Sequence, residues 1–329
     1  MAHPTERPSE VVSPRMDSTV MSSGLKLSAH LAVPEGGAAG APGLVLCHGF
    51  PVRGREAPAS GKSFPELADR IANEMGWVVL TINFRGCGTA QGDFSMRGWL
   101  DDISAAAEHL AGLRVRGVWL GGFGSGGALC ICEAARNPAI VGVAAMGTPA
   151  DFADWARNPR RLLTHARAVG VVRHAEFPTD FEAWAAELRD ISSLHSVGAV
   201  APRSLLLMHG ETDELVPSID ARLLADAHGD AELRIIAGAG HELRHDPRAV
   251  SVFLGWLGRQ QHGESAEPDG RLEPDPELDD DVGYHSVVSE SVLEEVGVVD
   301  GLVDDSVQDA LDDLALDAVA AADPEDQAG

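Results

Sequence analysis

The sequence predicts an α/β fold: a mostly parallel sheet covered by helices on both faces, with a small helical cap inserted. Three observations carry that expectation. Short, continuous apolar runs of strand length alternate with segments of helical spacing, the pattern of a sheet buried on both sides. The loops after those runs, 48–50, 83–94, 121–127, 209–217 and 238–241, fall at the carboxyl ends of the strands, where ligands bind in such sheets. The third is Leu120-Gly121-Gly122-Phe123-Gly124-Ser125-Gly126-Gly127, where a glycine turn joins an apolar run to a helix-like segment.

Taken in order, Leu25, Leu27, Ala29, Leu31 and Val33 alternate as a strand with one buried face. Leu44 to Cys47 is a short buried run that ends at His48-Gly49-Phe50. Ser63-Phe64-Pro65-Glu66 holds a capping serine, an early proline and a glutamate, and announces a helix that Gly76 stops. Trp77 to Ile82 is the next buried strand, opening into the loop 83–95. Residues 97–111 have helical spacing, with Trp99, Leu100, Ile103, Ala106, Ala107 and Leu110 on the apolar face. Val115 to Leu120 is a strand, and Ala128 to Arg136 is the buried helix behind the glycine turn. Ile140 to Met146, Ser204 to Met208 and 232–236 read as strands, and 218–228 as a helix. Asp246-Pro247 opens a last helix with Val250, Phe253, Leu254 and Leu257 on one face.

Composition bounds the function. The chain has 329 residues, 44% of them apolar, enough for a substantial core. Residues 261–329 hold 22 of the 51 acidic residues and one of the 25 basic ones, a net charge of −21, which leaves −5 for residues 1–260. Neither part has the basic surface that phosphate contacts require, so no nucleic acid partner is expected. Cys47, Cys87, Cys130 and Cys132 lack the spacing of a disulfide framework or a zinc site and read as buried reduced thiols; no metal and no cofactor is expected. Without a stretch of signal-peptide or membrane-span length, the expectation is a cytoplasmic protein with no membrane contact.

These residues, in this order, resemble the α/β-hydrolase fold, and most closely its small esterase and acyl-peptidase-like branches. His48-Gly49-Phe50, Asn83-Phe84-Arg85-Gly86-Cys87-Gly88 with Gly92-Asp93-Phe94, His209-Gly210 with Asp213 and Val216-Pro217, and Gly238-Ala239-Gly240-His241 match its loops over roughly residues 25–260. The resemblance implies that the Phe50 backbone supplies one oxyanion donor, that His241 is a general base, and that Asp213 orients and charge-balances it.

The glycine turn departs from the family pattern. Aligned without gaps, small-x-Ser-x-small places Gly122 and Gly126 at the small positions and Gly124 at the nucleophile, with Ser125 one residue late. Sliding the frame to make Ser125 the nucleophile puts the Phe123 ring where a strained turn demands a small residue. Three outcomes stay open: Ser125 acts as an esterase nucleophile; Gly124 leaves room for a water that His241 deprotonates, the amides of Phe50 and Ser125 holding the oxyanion; or the pocket binds a small-molecule ligand or a protein without chemistry, as a pseudoenzyme. The substrate class implied is a small ester, amide or thioester.

Two motifs compete with this reading. Gly122-x-Gly124-x-x-Gly127 fits the dinucleotide fingerprint, but after the fourth strand-like run and with no acidic residue closing the next one. His241-Glu242-Leu243-Arg244-His245 fits the zinc-peptidase letters, yet Pro247 and Gly240 disfavour the helix that motif needs. His209 is expected to satisfy backbone groups of the acid loop.

Four segments follow: 1–24, a disordered N-terminal segment; 25–150 with 198–260, the core; 151–197, the helical cap; and 261–329, an acidic, largely disordered tail. In the cap, Trp155, Phe181 and Trp184 are candidates to line an apolar substrate site, against the alternative that they form the insertion's own core. In the tail, apolar residues at near-helical spacing among acids, such as Val307, Leu311 and Leu314, leave open a protein partner beside a purely solubilising role.

Overall fold

The computed structural model describes residues 16–51 and 64–262. Among them, eight strands form one sheet: β1 (Met16–Ser22), β2 (Leu25–Ala32), β3 (Gly43–Cys47), β4 (Val78–Ile82), β5 (Val118–Phe123), β6 (Ile140–Met146), β7 (Ser204–Gly210) and β8 (Glu232–Ile236). Their spatial order is β1-β2-β4-β3-β5-β6-β7-β8. β1 pairs with β2 and β2 with β4 antiparallel, and every other pair is parallel. The carboxyl ends of β3 to β8 therefore open on one edge of the sheet.

Helices cover both faces, and β3 shows why its run is continuous. Leu44 and Leu46 pack with Ile71 and Ala72 of α1 (Phe64–Met75) and with Phe253 and Leu257 of α9 (Pro247–His262). Val45 and Cys47 face the other way, toward Ile103 and Ala106 of α2 (Met96–Gly112) and Leu129 and Ile131 of α3 (Ser125–Arg136). With a core on each side, no position of the strand is polar. Ser95 caps α2 by accepting the Gly98 amide at 3.0 Å. The four cysteines are free and buried.

Between β6 and β7 lie α4 (Ala153–Arg157), α5 (Pro159–Ala168), α6 (Phe181–Asp190) and α7 (Ser193–Val197), and α8 (Ile219–His228) joins β7 to β8. Arg173 binds the segment after α5 to the loop 83–94: its guanidinium donates to the carbonyls of Gly86, Gly88 and Ala90, and its amide to Asp93 Oδ1. Arg157 pairs with Asp154, and Arg160 lies 4.9 Å over the Phe181 ring. These cations serve the insertion's own architecture.

One segment differs from the sequence expectation. Residues 16–22, placed with a disordered N-terminus, form β1, whose register runs from Met16 opposite Leu31 to Ser22 opposite Leu25. Asp17-Ser18-Thr19 conceals the strand because it lies at an edge, where Val20 is its one buried apolar side chain among Ser18 to Ser22. Ser23 and Gly24, with φ 48° and 81°, make the two-residue turn that fits hairpin twist, so Ser-Gly before an alternating run was the available signal. Residues 1–15, the Ser63 cap and the acidic tail beyond His262 lie outside the described residues. No described helix is long and apolar enough to cross a membrane.

Candidate active site

The glycine turn sits at the centre of the sheet. β5 runs through Gly121, Gly122 and Phe123, so the turn is shorter than the glycine-rich stretch suggests and its apex is Gly124 alone. Gly124 has φ 54° and ψ −130°, a conformation that side-chain-bearing residues adopt only under strain. Its flanks are glycine for a steric reason. A Cβ at Gly122 would come within 2.5 Å of Gly126 O and Gly127 N, and one at Gly126 would overlap the His48 carbonyl. A Cβ at Gly127 would overlap the Thr148 hydroxyl, so the packing of strand, helix and neighbouring loops accounts for the fingerprint glycines.

His241 faces that apex. A Cβ placed on Gly124 would lie 3.5 Å from His241 Nε2, so the turn apex that carries no side chain stands opposite that nitrogen. The loop that carries His241 is tied to the acid loop, since the Thr212 amide and hydroxyl both donate to Ala239 O, at 2.9 and 3.1 Å. Asp213 Oδ2 receives His241 Nδ1 at 2.8 Å, and Oδ1 receives the amides of Leu215 and Val216 at 2.9 and 3.0 Å. Burial alone would raise the Asp213 carboxyl; the hydrogen bonds from His209 and His241, the charge of His241 and the Val216 amide together outweigh it and hold the group well below the usual carboxylate range. Asp213 is thus an anion, its side chain fully buried, while His241 keeps 25% of its side chain exposed. A hydrogen bond to the anion directs the remaining nitrogen, Nε2, toward Gly124.

Ser125 lies elsewhere. Its hydroxyl oxygen accepts the Phe50 amide at 2.8 Å, and no hydrogen bond joins it to His241 among the described residues. The amide it accepts comes from the loop after β3 and not from its own helix. Of the two amides expected to face an oxyanion, that of Phe50 is thus engaged by the Ser125 hydroxyl. The Ser125 amide itself, at the first position of α3, has no intrahelical acceptor.

His48 is a buried scaffold. Phe84 N–H donates to its Nε2 at 3.3 Å, which leaves the proton on Nδ1 to donate to Gly49 O at 2.8 Å. Burial lowers it to about 4, against the hydrogen bond to Gly49 and with help from the charge of Arg244. The neutral ring therefore fixes the peptide that precedes Phe50.

Of the cap aromatics, Trp155 reaches the site, its ring 5.2 Å from that of Phe50. Trp184 is buried, and its indole N–H donates to Phe94 O at 3.1 Å, which gives it a packing role under the cap. The Phe181 ring lies 5.9 Å from that of Trp184, tilted by 33°, under Arg160. Phe94, matched in the sequence only as part of a loop, has its ring 4.8 Å from Phe50, and His209, expected only to satisfy backbone groups, has its Nε2 3.3 Å from Asp213 Oδ2. The four-residue spacing from His209 to Asp213 was the only signal for the latter. His241 to His245 runs as a bend and one 3₁₀ turn, not the α-helix that would put both imidazoles on one face, and no group of three potential metal ligands occurs among the described residues.

The model of the alpha/beta hydrolase family matches residues 44–252. The fold is similar to that of the alpha/beta hydrolase GrgF from Penicillium sp. sh18, at 19% identity over 76% of this chain and 99% of that one, with a TM-score of 0.60. It is similar also to Est1E from Butyrivibrio proteoclasticus, at 20% identity, 77% and 100% coverage and a TM-score of 0.57. The esterase domain of a Rhodothermus marinus protein is 22% identical, with 75% and 97% coverage and a TM-score of 0.55. No curated protein matches the chain.

Proposed function

This chain belongs to the alpha/beta hydrolase family, and we propose that it hydrolyses a small ester, amide or thioester by general-base activation of water, with His241 and Asp213 as the working pair and no covalent intermediate. The observation that carries the reading is the opposition of His241 Nε2 to a turn apex without a side chain, in the conformation of a nucleophile elbow. Gly124 stands where the family's serine would, and the volume of the missing CH₂OH suits a water within reach of Nε2.

In this reaction His241 Nε2 takes a proton from the water as its oxygen bonds to the substrate's carbonyl carbon. The carbonyl becomes an oxyanion, held by the Ser125 amide and by the Ser125 hydroxyl, whose oxygen is anchored by Phe50 and whose hydrogen is left to donate. The tetrahedral intermediate collapses, the imidazolium returns its proton to the leaving alcohol, amine or thiol, and the acid departs. Asp213 stabilises the imidazolium throughout. General-base catalysis of this kind contributes about 10² to 10⁴-fold. Trp155 and Phe50 would contact an apolar acyl portion, as small-molecule sites are commonly lined.

A second reading, a ligand- or protein-binding module without chemistry, is favoured by the occupied Phe50 amide, which removes one of the two backbone donors that acyl transfer ordinarily uses. Activity toward a panel of p-nitrophenyl esters and thioesters separates the two. Turnover by the wild type that disappears in His241→Ala supports hydrolysis; equal rates in both proteins would end that reading.

A further inference from the structure

We propose that His209 is a positioning residue for the His241–Asp213 pair, donating from Nε2 to the carboxylate oxygen that receives His241 and so fixing both the rotation of that carboxylate and its strength as an acceptor. The arrangement of donors stands on geometry; its catalytic consequence rests on the hydrolytic reading above.

Asp213 offers about four acceptor sites on two oxygens. Two backbone amides fill Oδ1, Oδ2 receives His241 Nδ1 at 2.8 Å, and His209 Nε2 lies 3.3 Å from that same oxygen. The protonation of His209 follows from its neighbours. Its Nε2 also faces Val216 O at 2.9 Å, and a carbonyl only accepts, so Nε2 carries hydrogen. Its Nδ1 is buried with no hydrogen-bond partner among the described residues, and a second proton there would strand an N–H away from any acceptor. His209 is therefore a neutral ring whose one hydrogen bonds Val216 O at 2.9 Å, with Asp213 Oδ2 3.3 Å from the same nitrogen.

Two imidazoles thus serve one carboxylate in different ways. His209 is completely buried at the end of β7 and its donor is constant; His241 is partly exposed and its outer nitrogen meets the substrate. Without His209, Oδ2 would be held from one side only, and the carboxylate would be freer to turn away from the His241 ring. A purely packing histidine would be replaceable by an apolar side chain of similar size with no effect on His241.

The full chain with ¹⁵N-labelled histidine, observed by ¹H–¹⁵N NMR, decides between these. We expect His209 to show the neutral Nε2–H tautomer and the His241 Nδ1 proton to resonate far downfield through its bond to Asp213. His209→Gln, which keeps an N–H donor, should retain that proton near its wild-type position. His209→Leu should move it upfield or broaden it away, and should lower kcat about tenfold with little change in KM, the effect of losing one net hydrogen bond. An Nδ1–H tautomer or an imidazolium at His209 in the wild type would overturn the proposal, as would a wild-type His241 proton in His209→Leu. Should His209→Leu fail to fold, the wild-type tautomer and the His209→Gln signal still decide. The spectra do not depend on turnover, so an inactive protein with the expected signals would count against hydrolysis and not against this role.

Discussion

The hydroxyl oxygen of Ser125 accepts the amide hydrogen of Phe50 at 2.8 Å. That bond separates two roles for the serine whose consequences differ by orders of magnitude. Removing a serine nucleophile costs about 10⁶ in kcat. A hydroxyl that only donates to the oxyanion is replaceable in part, because Ser125→Ala frees the Phe50 amide to donate in its stead. We expect Ser125→Ala to lower kcat by about tenfold or less, below the 10² to 10³ of an irreplaceable oxyanion donor, as read by steady-state kinetics on a p-nitrophenyl ester.

Gly124→Ser should rebuild a covalent catalyst. Its hydroxyl would extend from a Cβ 3.5 Å from His241 Nε2, within hydrogen-bond reach. We expect a fluorophosphonate to label the variant at position 124 and the wild type nowhere on the turn, as located by peptide mass spectrometry. A serine at φ 54° also carries backbone strain, so thermal unfolding should register a loss of about 1 to 3 kcal/mol.

His48 makes acid the weak side of the fold. Its folded value of about 4 lies below the ordinary 6.5, so between these values the unfolded chain holds a proton that the native one does not. Stability is full above pH 6.5 and declines as pH falls toward 4, by about 3 kcal/mol from this residue. Asp213 acts lower: its depressed folded value gives stability that is present above about pH 3.9 and is lost only below it. Urea unfolding of the wild type and His48→Gln across pH 4 to 7 should show a slope in the first that is reduced in the second.

Arg85 and Asp102 anchor the loop between β4 and α2. The Asp102 side chain is fully buried, and the Arg85 guanidinium meets it at 2.7 Å while also donating to Ser22 Oγ at 3.1 Å. Burial pushes the Asp102 carboxyl up against the opposing bonds from Arg85. Arg85→Met would leave that carboxylate without its cation, at a cost of about 3 to 5 kcal/mol, and Arg85→Met with Asp102→Leu should recover much of it. Denaturant midpoints of the two variants check this.

Much of the fold was legible because its strands are buried on both faces. Leu44 to Cys47 must be apolar throughout when α1 and α9 cover one side and α2 and α3 the other, and such a run announces itself. β1 escaped notice because an edge strand such as Asp17-Ser18-Thr19 needs no apolar alternation. At the site, the meeting of His241 with Asp213 was expected from chain order, because parallel strands deliver their loops to one edge. The partners of Ser125 were not. Both its own helix and the loop after β3 offer amides, and the close approach of Gly126 to the His48 carbonyl, which letters do not show, accompanies the choice of Phe50. Trp184 and Trp155 look alike as letters, but one indole finds the Phe94 carbonyl beneath the cap and the other lies beside Phe50.

The most direct test of water-based chemistry is the intact mass of the wild-type chain, quenched during turnover of an activated ester. The account predicts product release from a protein of unmodified mass. An acyl adduct on Ser125 would contradict it.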